Sequence, residues 1–262
     1  MSSNTIILIT GANTGLGLET VKSLCQSEHA YTILLAGRSI DKANAAAKTT
    51  ESEFPSTSST IRTVQIDIED DESITQAFKH VSTEYGRLDV LVNNAGGQFD
   101  YVDGLSAREM WTKSWSVNVS STYILTSTFV PLLLKSSTPR IIFLASGTSS
   151  LTTAGNSPLP IDKSPAAGWP KEGFAIPAYR ASKTGLNMVV REFARMLKND
   201  GVRVWGVSPG FLATGLGLGQ EASRKMGALE PKVGANFVRS VVEGERDADV
   251  GLVVKKGDVQ PF

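Results

Sequence analysis

The chain has 262 residues, 41% of them hydrophobic, and carries 26 basic and 26 acidic side chains. This size and hydrophobic content suffice for a large buried core, and no long linker divides the chain, so residues 1–262 are predicted to form one domain. The balanced charge, without a basic block, argues against nucleic acid or a membrane surface as a partner.

The remaining composition predicts a soluble cytoplasmic protein without a metal site. A strand-like run already begins at Thr5, which leaves no room for a secretory signal, and no apolar run approaches the ~18 residues of a membrane-spanning helix. The single cysteine, Cys25, cannot form an internal disulfide and is interpreted as a buried apolar residue. His29 and His80, the only histidines, have no ligand-like partners at short spacing.

Strand and helix patterns alternate along the chain. Apolar runs predict about seven strands, at residues 5–10, 31–36, 61–66, 88–93, 140–145, 202–207 and 251–254. Helices are predicted at residues 15–28, 40–52, 72–85, 117–135, 178–199 and 231–244. Strands this apolar indicate a parallel sheet covered on both faces, and right-handed crossovers then give an α/β, doubly wound sheet of the Rossmann type.

Distinctive residues fall at or just after predicted strand ends, where such sheets bind ligands. They are Gly11, Gly37, Asp67, Asn94, Ser146 and Pro209. Glycines at 11, 15 and 17 let the chain turn tightly and let backbone N–H groups approach a pyrophosphate at the start of the first helix. Their spacing, G-x-x-x-G-x-G, differs from the standard G-x-G-x-x-G, and a glycine cluster alone also fits an ordinary turn.

Tyr179 and Lys183 provide a phenol and an ammonium on one helical face. A tyrosine titrates near pH ~10 in water, so it is a poor proton donor or acceptor at neutral pH unless its phenolate is stabilised. A positive charge at ~4 Å, with an effective dielectric constant of ~20, contributes roughly 4 kcal/mol, or about three pKa units. Such a pair can also lie on a solvated face without any catalytic role.

Taken together, the motifs resemble the short-chain dehydrogenase/reductase family from about residue 5 to the C-terminus. They are Thr10-Gly11-x-x-x-Gly15-x-Gly17, Asn93-Asn94-Ala95-Gly96, Asn118, Ser146, Tyr179-x-x-x-Lys183 and Pro209-Gly210. The resemblance implies that Ser146 orients a substrate carbonyl and that Tyr179 donates the proton. It also implies that Lys183 lowers the pKa of the tyrosine and contacts the nicotinamide ribose, and that Asn118 holds a water of a proton relay.

The same resemblance implies a set of residues that contact a nicotinamide dinucleotide. They are Gly11, Asn13, Thr14, Gly15, Leu16, Gly17, Arg38, Asp67, Ile68, Asn94, Ala95, Gly96, Tyr179, Lys183, Pro209, Gly210, Leu212 and Thr214. Asp67 resembles the residue that binds the adenine amino group, although it could instead cap the following helix. Asn94 resembles the residue that supports the central strand and the adenosine ribose, although residues 93–96 could be a plain turn.

Arg38 favours NADP(H) over NAD(H). It lies about 20 residues after the glycine turn, where NAD-specific relatives place an acid, and its guanidinium suits a 2′-phosphate. Asn13 and Thr14 stand where many NADP-using relatives have a further basic residue. We therefore expect an NADPH-dependent carbonyl reductase or alcohol dehydrogenase. The alternatives are a cofactor-binding regulator or scaffold without turnover, and an epimerase or dehydratase.

Two segments are expected to shape the substrate site. Residues 211–229 are predicted to form a mobile lid, because apolar side chains such as Phe211 would be costly to leave in water. Aromatic residues near the site suggest a ketone or aldehyde with an apolar body. They are Phe99, Tyr101, Trp169, Phe174 and Phe211.

The other segment, residues 151–175, is longer than in compact family members and is interpreted as an ordered insertion. Its prolines, Pro158, Pro160, Pro165 and Pro170, argue against a helix, and its apolar side chains would seek cover. We expect it to shield the predicted helices at 117–135 and 178–199, which favours a monomer or weak dimer over a tetramer. Trp169 or Phe174 is expected to border the substrate entrance.

Overall fold

A computed structural model describes residues 4–156 and 159–262, except for the side chain of residue 160. Ser157 and Pro158 of the insertion lie outside the described residues. Eight strands form one sheet in this part of the chain. They are β1 (Thr5–Ile9), β2 (Tyr31–Gly37), β3 (Thr60–Gln65), β4 (Val90–Asn93), β5 (Arg140–Leu144), β6 (Arg203–Ser208), β7 (Val253–Lys255) and β8 (Asp258–Gln260).

The order of the strands, β3-β2-β1-β4-β5-β6-β7-β8, places the two halves of the sheet on either side of the β1–β4 pair. β1 to β7 pair in parallel, and β8 pairs antiparallel to β7. The chain reverses its winding direction between β1 and β4, so a ligand crevice opens at the carboxyl ends of these two strands. The predicted doubly wound α/β sheet is confirmed.

Helices cover both faces of the sheet. The longer ones are α1 (Gly15–Cys25), α2 (Ile40–Glu53), α3 (Asp71–Tyr85), α4 (Ala107–Trp115), α5 (Thr122–Leu133), α7 (Pro177–Met196) and α9 (Pro231–Val242), with the short helices α6 (Leu151–Asn156) and α8 (Gln220–Lys225). Alternate strand residues face opposite ways, so Leu8 packs on the side of α3, α5 and α7 while Ile7 packs on the side of α1, α2 and α9. This two-sided burial explains why the strands are continuous apolar runs.

The predicted elements differ from the structure in one helix with wrong bounds, one missed helix and one missed strand. The helix predicted at 117–135 is α5 preceded by a π-helical segment, Ser116–Ser121, and by α4. A capping box of Ser106 and Glu109, whose pattern is legible in the sequence, starts α4. β8 was missed because three residues are too few for a periodic signal.

Across residues 4–156 and 159–262, no helix has both the length and the apolar character required to cross a membrane.

Candidate active site

The glycine turn connects β1 to α1 at the crevice. Gly11 and Gly15 have φ angles of 62° and 56°, a conformation that glycine adopts without steric cost. A Cβ on Gly17 would lie 2.6 Å from the carbonyl oxygen of Gly11, so the turn and the helix approach too closely for any side chain. The side chain of Thr14, which precedes α1, does not cap the helix. The helix N-terminus therefore offers N–H donors to an anion such as a phosphate.

Asn94 ties the end of β4 to this turn. Its side-chain amide donates to the carbonyl oxygens of Thr10, at 2.8 Å, and Gly11, at 3.2 Å. The hydroxyl of Thr10 accepts in return from the backbone N–H groups of Asn94, at 3.1 Å, and Ala95, at 3.0 Å. An ordinary turn would not make these long-range bonds, so residues 93–96 connect the end of β4 to the end of β1. Their contact with a ribose stays a prediction.

Arg38 follows β2 at the far side of the crevice and is exposed. Its guanidinium makes no hydrogen bond or ion pair with the part of the chain that the structure describes. The backbone beside it is fixed, because the Gln65 side chain donates to the Arg38 carbonyl at 3.1 Å and Ser39 caps α2. A cation that is held near a helix N-terminus and has no protein partner is well placed for a phosphate.

Asp67 follows β3 and forms a local turn rather than a helix cap. Its carboxylate accepts from the backbone N–H of Glu69 at 3.1 Å. The cap of α3 is Asp70, whose carboxylate accepts from the backbone N–H of Glu72 at 3.0 Å. The alternative interpretation of Asp67 as the helix cap is therefore wrong, and its contact with an adenine remains a prediction.

The four residues predicted to be catalytic come from three parts of the fold: the loop after β5, the start of α7 and the π-helical segment before α5. Ser146 follows β5, Tyr179 and Lys183 lie in the first two turns of α7, and Asn118 lies in the π-helical segment. The Ser146 hydroxyl forms a hydrogen bond with the Thr148 hydroxyl at 2.9 Å, and it is close enough to the Tyr179 phenol to lower the pKa of that phenol. The structure thus brings the predicted serine and tyrosine together.

Asn118 holds the loop after β4 against α7. Its side-chain oxygen accepts from the backbone N–H of Gly97 at 2.9 Å. Its amide donates to the carbonyl oxygen of Gly97 at 2.8 Å and to the Ser182 hydroxyl at 2.9 Å. Both donors of the side chain are used by the protein, so this residue has a clear positioning role, whereas its predicted role in a water relay stays a prediction. A π-helical insertion is frequent at functional sites.

The Lys183 ammonium is buried and donates to the Leu144 carbonyl oxygen at 2.8 Å, and it lies 5.9 Å from the centroid of the Tyr179 ring. Burial lowers the pKa of Lys183 to about 8. The pKa of Tyr179 is raised, chiefly by burial. The Asp100 carboxylate adds to the rise, and the hydrogen bond with the Ser146 hydroxyl opposes it. Desolvation is the largest cause of the raised tyrosine pKa, and the predicted lowering by Lys183 stays a prediction.

The predicted lid begins beside the glycine turn. Thr214 lies 3.7 Å from the position that a Cβ on Gly15 would occupy, next to the N-terminus of α1. Leu212 is buried and forms a parallel bridge with Leu229. Phe211 is 53% exposed, so about half of it is open to solvent. Thr214 thus lies beside the N-terminus of α1, and the contacts of Thr214 and Leu212 with a cofactor stay a prediction.

The insertion at 151–175 differs from its prediction. It starts with a helix, α6, because its prolines all come after that helix. Trp169 is 87% exposed, so the expectation that its side chain finds cover is wrong for this chain. Phe174 stacks on Tyr101 with 5.4 Å between ring centroids, although it remains partly exposed.

The insertion is fixed to α7, but it does not shield the helices. The ion pair of Asp162 with Arg180 has a nitrogen–oxygen distance of 2.5 Å, and Arg180 also donates to the Thr148 carbonyl. However, Tyr123 and Ile124 on α5 and Met188 on α7 are exposed. The shielding argument is wrong at these residues, and the monomer or weak dimer stays a prediction without that support.

Sequence reasoning missed four residues that hold the catalytic side chains in place. Asp100, Thr148 and Arg180 contact the catalytic helix or the Ser146 loop, and the Gln260 side chain donates to the Ser146 carbonyl at 3.0 Å. Only Arg180 had a local signal, since it is the neighbour of Tyr179. The others are brought to the site by the chain's path through the sheet.

Comparison with known proteins agrees with this geometry. Residues 5–158 match the family model described as short chain dehydrogenase, and residues 166–242 match that described as enoyl-(acyl carrier protein) reductase. The chain belongs to the short-chain dehydrogenase/reductase family. A short-chain dehydrogenase/reductase of Talaromyces stipitatus, tropE, is 45% identical over 267 residues, which cover 100% of this chain and 99% of that protein.

Two further proteins show the range of this family. The (+)-neomenthol dehydrogenase of Arabidopsis thaliana is 27% identical, with 97% of each chain covered. The NADPH-bound carbonyl reductase from chicken fatty liver shares the fold, with a TM-score of 0.78, 21% identity and 99% of each chain covered. This short-chain dehydrogenase/reductase is thus an oxidoreductase of a family that uses a nicotinamide cofactor.

We predict that Gly17→Ala damages the dinucleotide site. Alanine normally stabilises a helix by up to about 1 kcal/mol relative to glycine, whereas here the added methyl group should cost about 1–3 kcal/mol of the free energy of unfolding and weaken cofactor binding. Urea unfolding and fluorescence titration with cofactor measure the two effects. Gly155→Ala is the matched control, because nothing lies within 4 Å of its added Cβ. Unchanged cofactor affinity in Gly17→Ala would contradict the close approach.

We also predict that Lys183→Met stabilises the fold while it removes function. A folded-state pKa lowered from 10.5 to about 8 means that the charged lysine opposes folding below pH 8, by about 3 kcal/mol on the conversion of 1.36 kcal/mol per unit. The wild type recovers this free energy as pH rises from about 8 to 10.5, so the advantage of the variant should shrink over that window. Unfolding curves at several pH values test this.

The control for Lys183→Met is Lys48→Met, at an exposed position of α2. It should leave the pH dependence of the free energy of unfolding unchanged. An equal effect of both substitutions would show that burial of Lys183 does not carry the cost.

Proposed function

We propose that this protein is an NADP(H)-dependent oxidoreductase that reduces a ketone or aldehyde to an alcohol, or carries out the reverse reaction. The observation that carries the proposal is the convergence of Ser146, Tyr179 and Lys183 beside the crevice at which the strand order reverses. A hydroxyl, a phenol and an ammonium at one place supply the donors that a developing alkoxide requires.

The cofactor site fits a nicotinamide dinucleotide. The N-terminus of α1 offers uncapped donors, the lack of a side chain at Gly17 lets the helix pack closely against the glycine turn, and Thr214 lies 3.7 Å from the position that a Cβ on Gly15 would occupy. When it is bound, the nicotinamide would supply or accept the hydride. The residues proposed to contact it at the ribose and amide end are Lys183, Pro209 and Leu212.

The proposed work of the protein is to hold the carbonyl and to move one proton. The Ser146 hydroxyl would donate a hydrogen bond to the carbonyl oxygen, held in place by the Thr148 hydroxyl and by the bond from Gln260 to its own backbone. Tyr179 would donate its phenolic proton to the same oxygen. A phenol is protonated at neutral pH, which suits reduction, and burial moves the pKa of Tyr179 further above that pH. Lys183, protonated below about pH 8, would stabilise the phenolate that remains.

Arg38 supports NADP(H) as the cofactor. Its guanidinium is exposed and unpaired among the described residues, and it lies next to the Ser39 cap of α2. A 2′-phosphate would give it the partner that it lacks.

An apolar substrate body is supported by the aromatic residues on the loop after β4 and on the insertion. Phe99, which packs over Gly97, comes from that loop, and Phe174 stacks on Tyr101. The half-exposed Phe211 at the start of the lid would be covered by such a substrate. Trp169 supports this least, because it extends into solvent.

We predict that Tyr179→Phe lowers kcat by at least ~100-fold, since it removes the proton donor and little volume. Cofactor affinity should remain nearly unchanged. A turnover assay over a panel of ketones, aldehydes and alcohols, together with cofactor titration, measures both. Tyr123→Phe, at an exposed position of α5, is the control. Wild-type turnover in Tyr179→Phe would contradict the proposed chemistry, and a wild type that binds cofactor but turns over nothing would favour a regulator.

We predict that Arg38→Asp reduces the affinity for NADPH by about 10- to 100-fold, because a charge-assisted hydrogen bond of about 1.5–3 kcal/mol is replaced by repulsion. Affinity for NADH should be kept or improved. Steady-state kinetics with each cofactor tests this, with Arg108→Asp at an exposed position of α4 as control. A wild type that works better with NADH would refute the assignment.

A further inference from the structure

The loop after β4 contacts both sides of the active site within five residues. Gly97 is held by Asn118 through both its N–H and its carbonyl oxygen. Tyr101, four residues later, exchanges two hydrogen bonds with the backbone of Ala175: its hydroxyl donates to the carbonyl at 2.9 Å and accepts from the N–H at 2.7 Å. Phe174 stacks on the ring of Tyr101. The loop is therefore fixed at both ends, and Asp100 lies between them.

Asp100 supplies the cap that α7 lacks locally. The residue before the helix, Ile176, makes no side-chain cap, and Pro177 has no N–H to donate. The carboxylate of Asp100 accepts instead from the N–H of Ala178 at 2.9 Å and from the N–H of Tyr179 itself at 3.2 Å. A carboxylate at a helix N-terminus is favoured both by these bonds and by the helix dipole.

The charges around Tyr179 leave Asp100 as the negative group that acts on its phenol. On α7, Lys183 donates to the Leu144 carbonyl, and Arg180 is paired with Asp162 of the insertion. On α4, Lys113 is paired with Glu69. Burial raises the pKa of Tyr179, and Asp100 is the one charged group that adds to this rise among the described residues. Burial raises the pKa of Asp100 as well, while its two backbone hydrogen bonds lower it.

We propose that Asp100 is a positioning residue whose carboxylate fixes the N-terminus of the catalytic helix, and that the negative charge it places at the first turn of this helix extends the reductive activity to higher pH. The proposal rests on the proposed function, in which Tyr179 is the proton donor. A catalyst cannot change the equilibrium of the reaction, so the effect of Asp100 is on the pH range in which each direction runs. Reduction requires the phenol and oxidation requires the phenolate.

The test is the pH profile of kcat/KM for reduction in wild type and in two neutral variants, Asp100→Asn and Asp100→Ser. Asparagine removes the charge at nearly the same size and keeps one of the two acceptors, whereas serine removes the charge together with most of the reach to the helix. A shift shared by both variants therefore reports the charge rather than the cap. In both variants the high-pH limb set by the Tyr179 phenol should move down, by about one pH unit or roughly 1.4 kcal/mol of lost interaction with the carboxylate. The low-pH limb of oxidation should move in the same direction.

Controls separate the charge from the fold and from the chemistry. Asp100→Glu keeps the charge and should retain the wild-type limb, and Asp103→Asn, at an exposed position three residues along the same loop, should not shift it. An ultraviolet titration of the phenolate, with Tyr179→Phe subtracted, should show the same shift without turnover. A folded neutral variant with a lower kcat but an unshifted limb and phenolate titration would overturn the proposal. Loss of activity in Tyr179→Phe combined with that result would leave the proposed function standing.

Discussion

The parallel sheet imposes the geometry on which the site depends. Because β1 to β7 run the same way, their carboxyl ends lie at one edge, and the loops that follow them carry the chemical residues. The reversal of strand order between β1 and β4 opens the crevice, and the bonds between Thr10 and Asn94 keep its two sides together. This bonding also explains why Gly17 has no side chain: the space is taken by the Gly11 carbonyl and by the Asn94 amide itself.

Burial has the largest effect on the pKa values of the two proposed catalytic groups, Tyr179 and Lys183. The phenol and the ammonium are both buried, and burial disfavours the charged form of each. The pKa of the tyrosine rises and the pKa of the lysine falls, so the two values move apart. The neutral phenol can then donate a proton near neutral pH, while Lys183 keeps its charge up to about pH 8. Any stabilisation of the phenolate by Lys183 acts against this desolvation, which is the largest cause of the raised tyrosine pKa.

The sequence was informative where a signal is local or periodic. β1 is a continuous apolar run followed by glycines, and the four-residue spacing of Tyr179 and Lys183 places them on one face, so both could be predicted. β8 is three residues long and its existence depends on pairing with β7. Asp100 caps a helix 78 residues away, and no pattern in the sequence specifies a contact at that distance. Trp169 was expected to be buried because it is apolar, but it is exposed, so apolar character alone does not predict burial.

The first turn of α7 is held from three directions, and this explains how Tyr179, the proposed proton donor, can be placed accurately after a long insertion. Asp100 holds its N–H groups, and Arg180 connects it to the Thr148 carbonyl and to Asp162. Asp162 is buried, so this ion pair is screened less than a surface pair and resists displacement. A long segment before a catalytic helix would ordinarily leave its start free to fray. Here the insertion instead contributes one of the contacts that fix Tyr179, while its outer part, including Trp169, extends away from them.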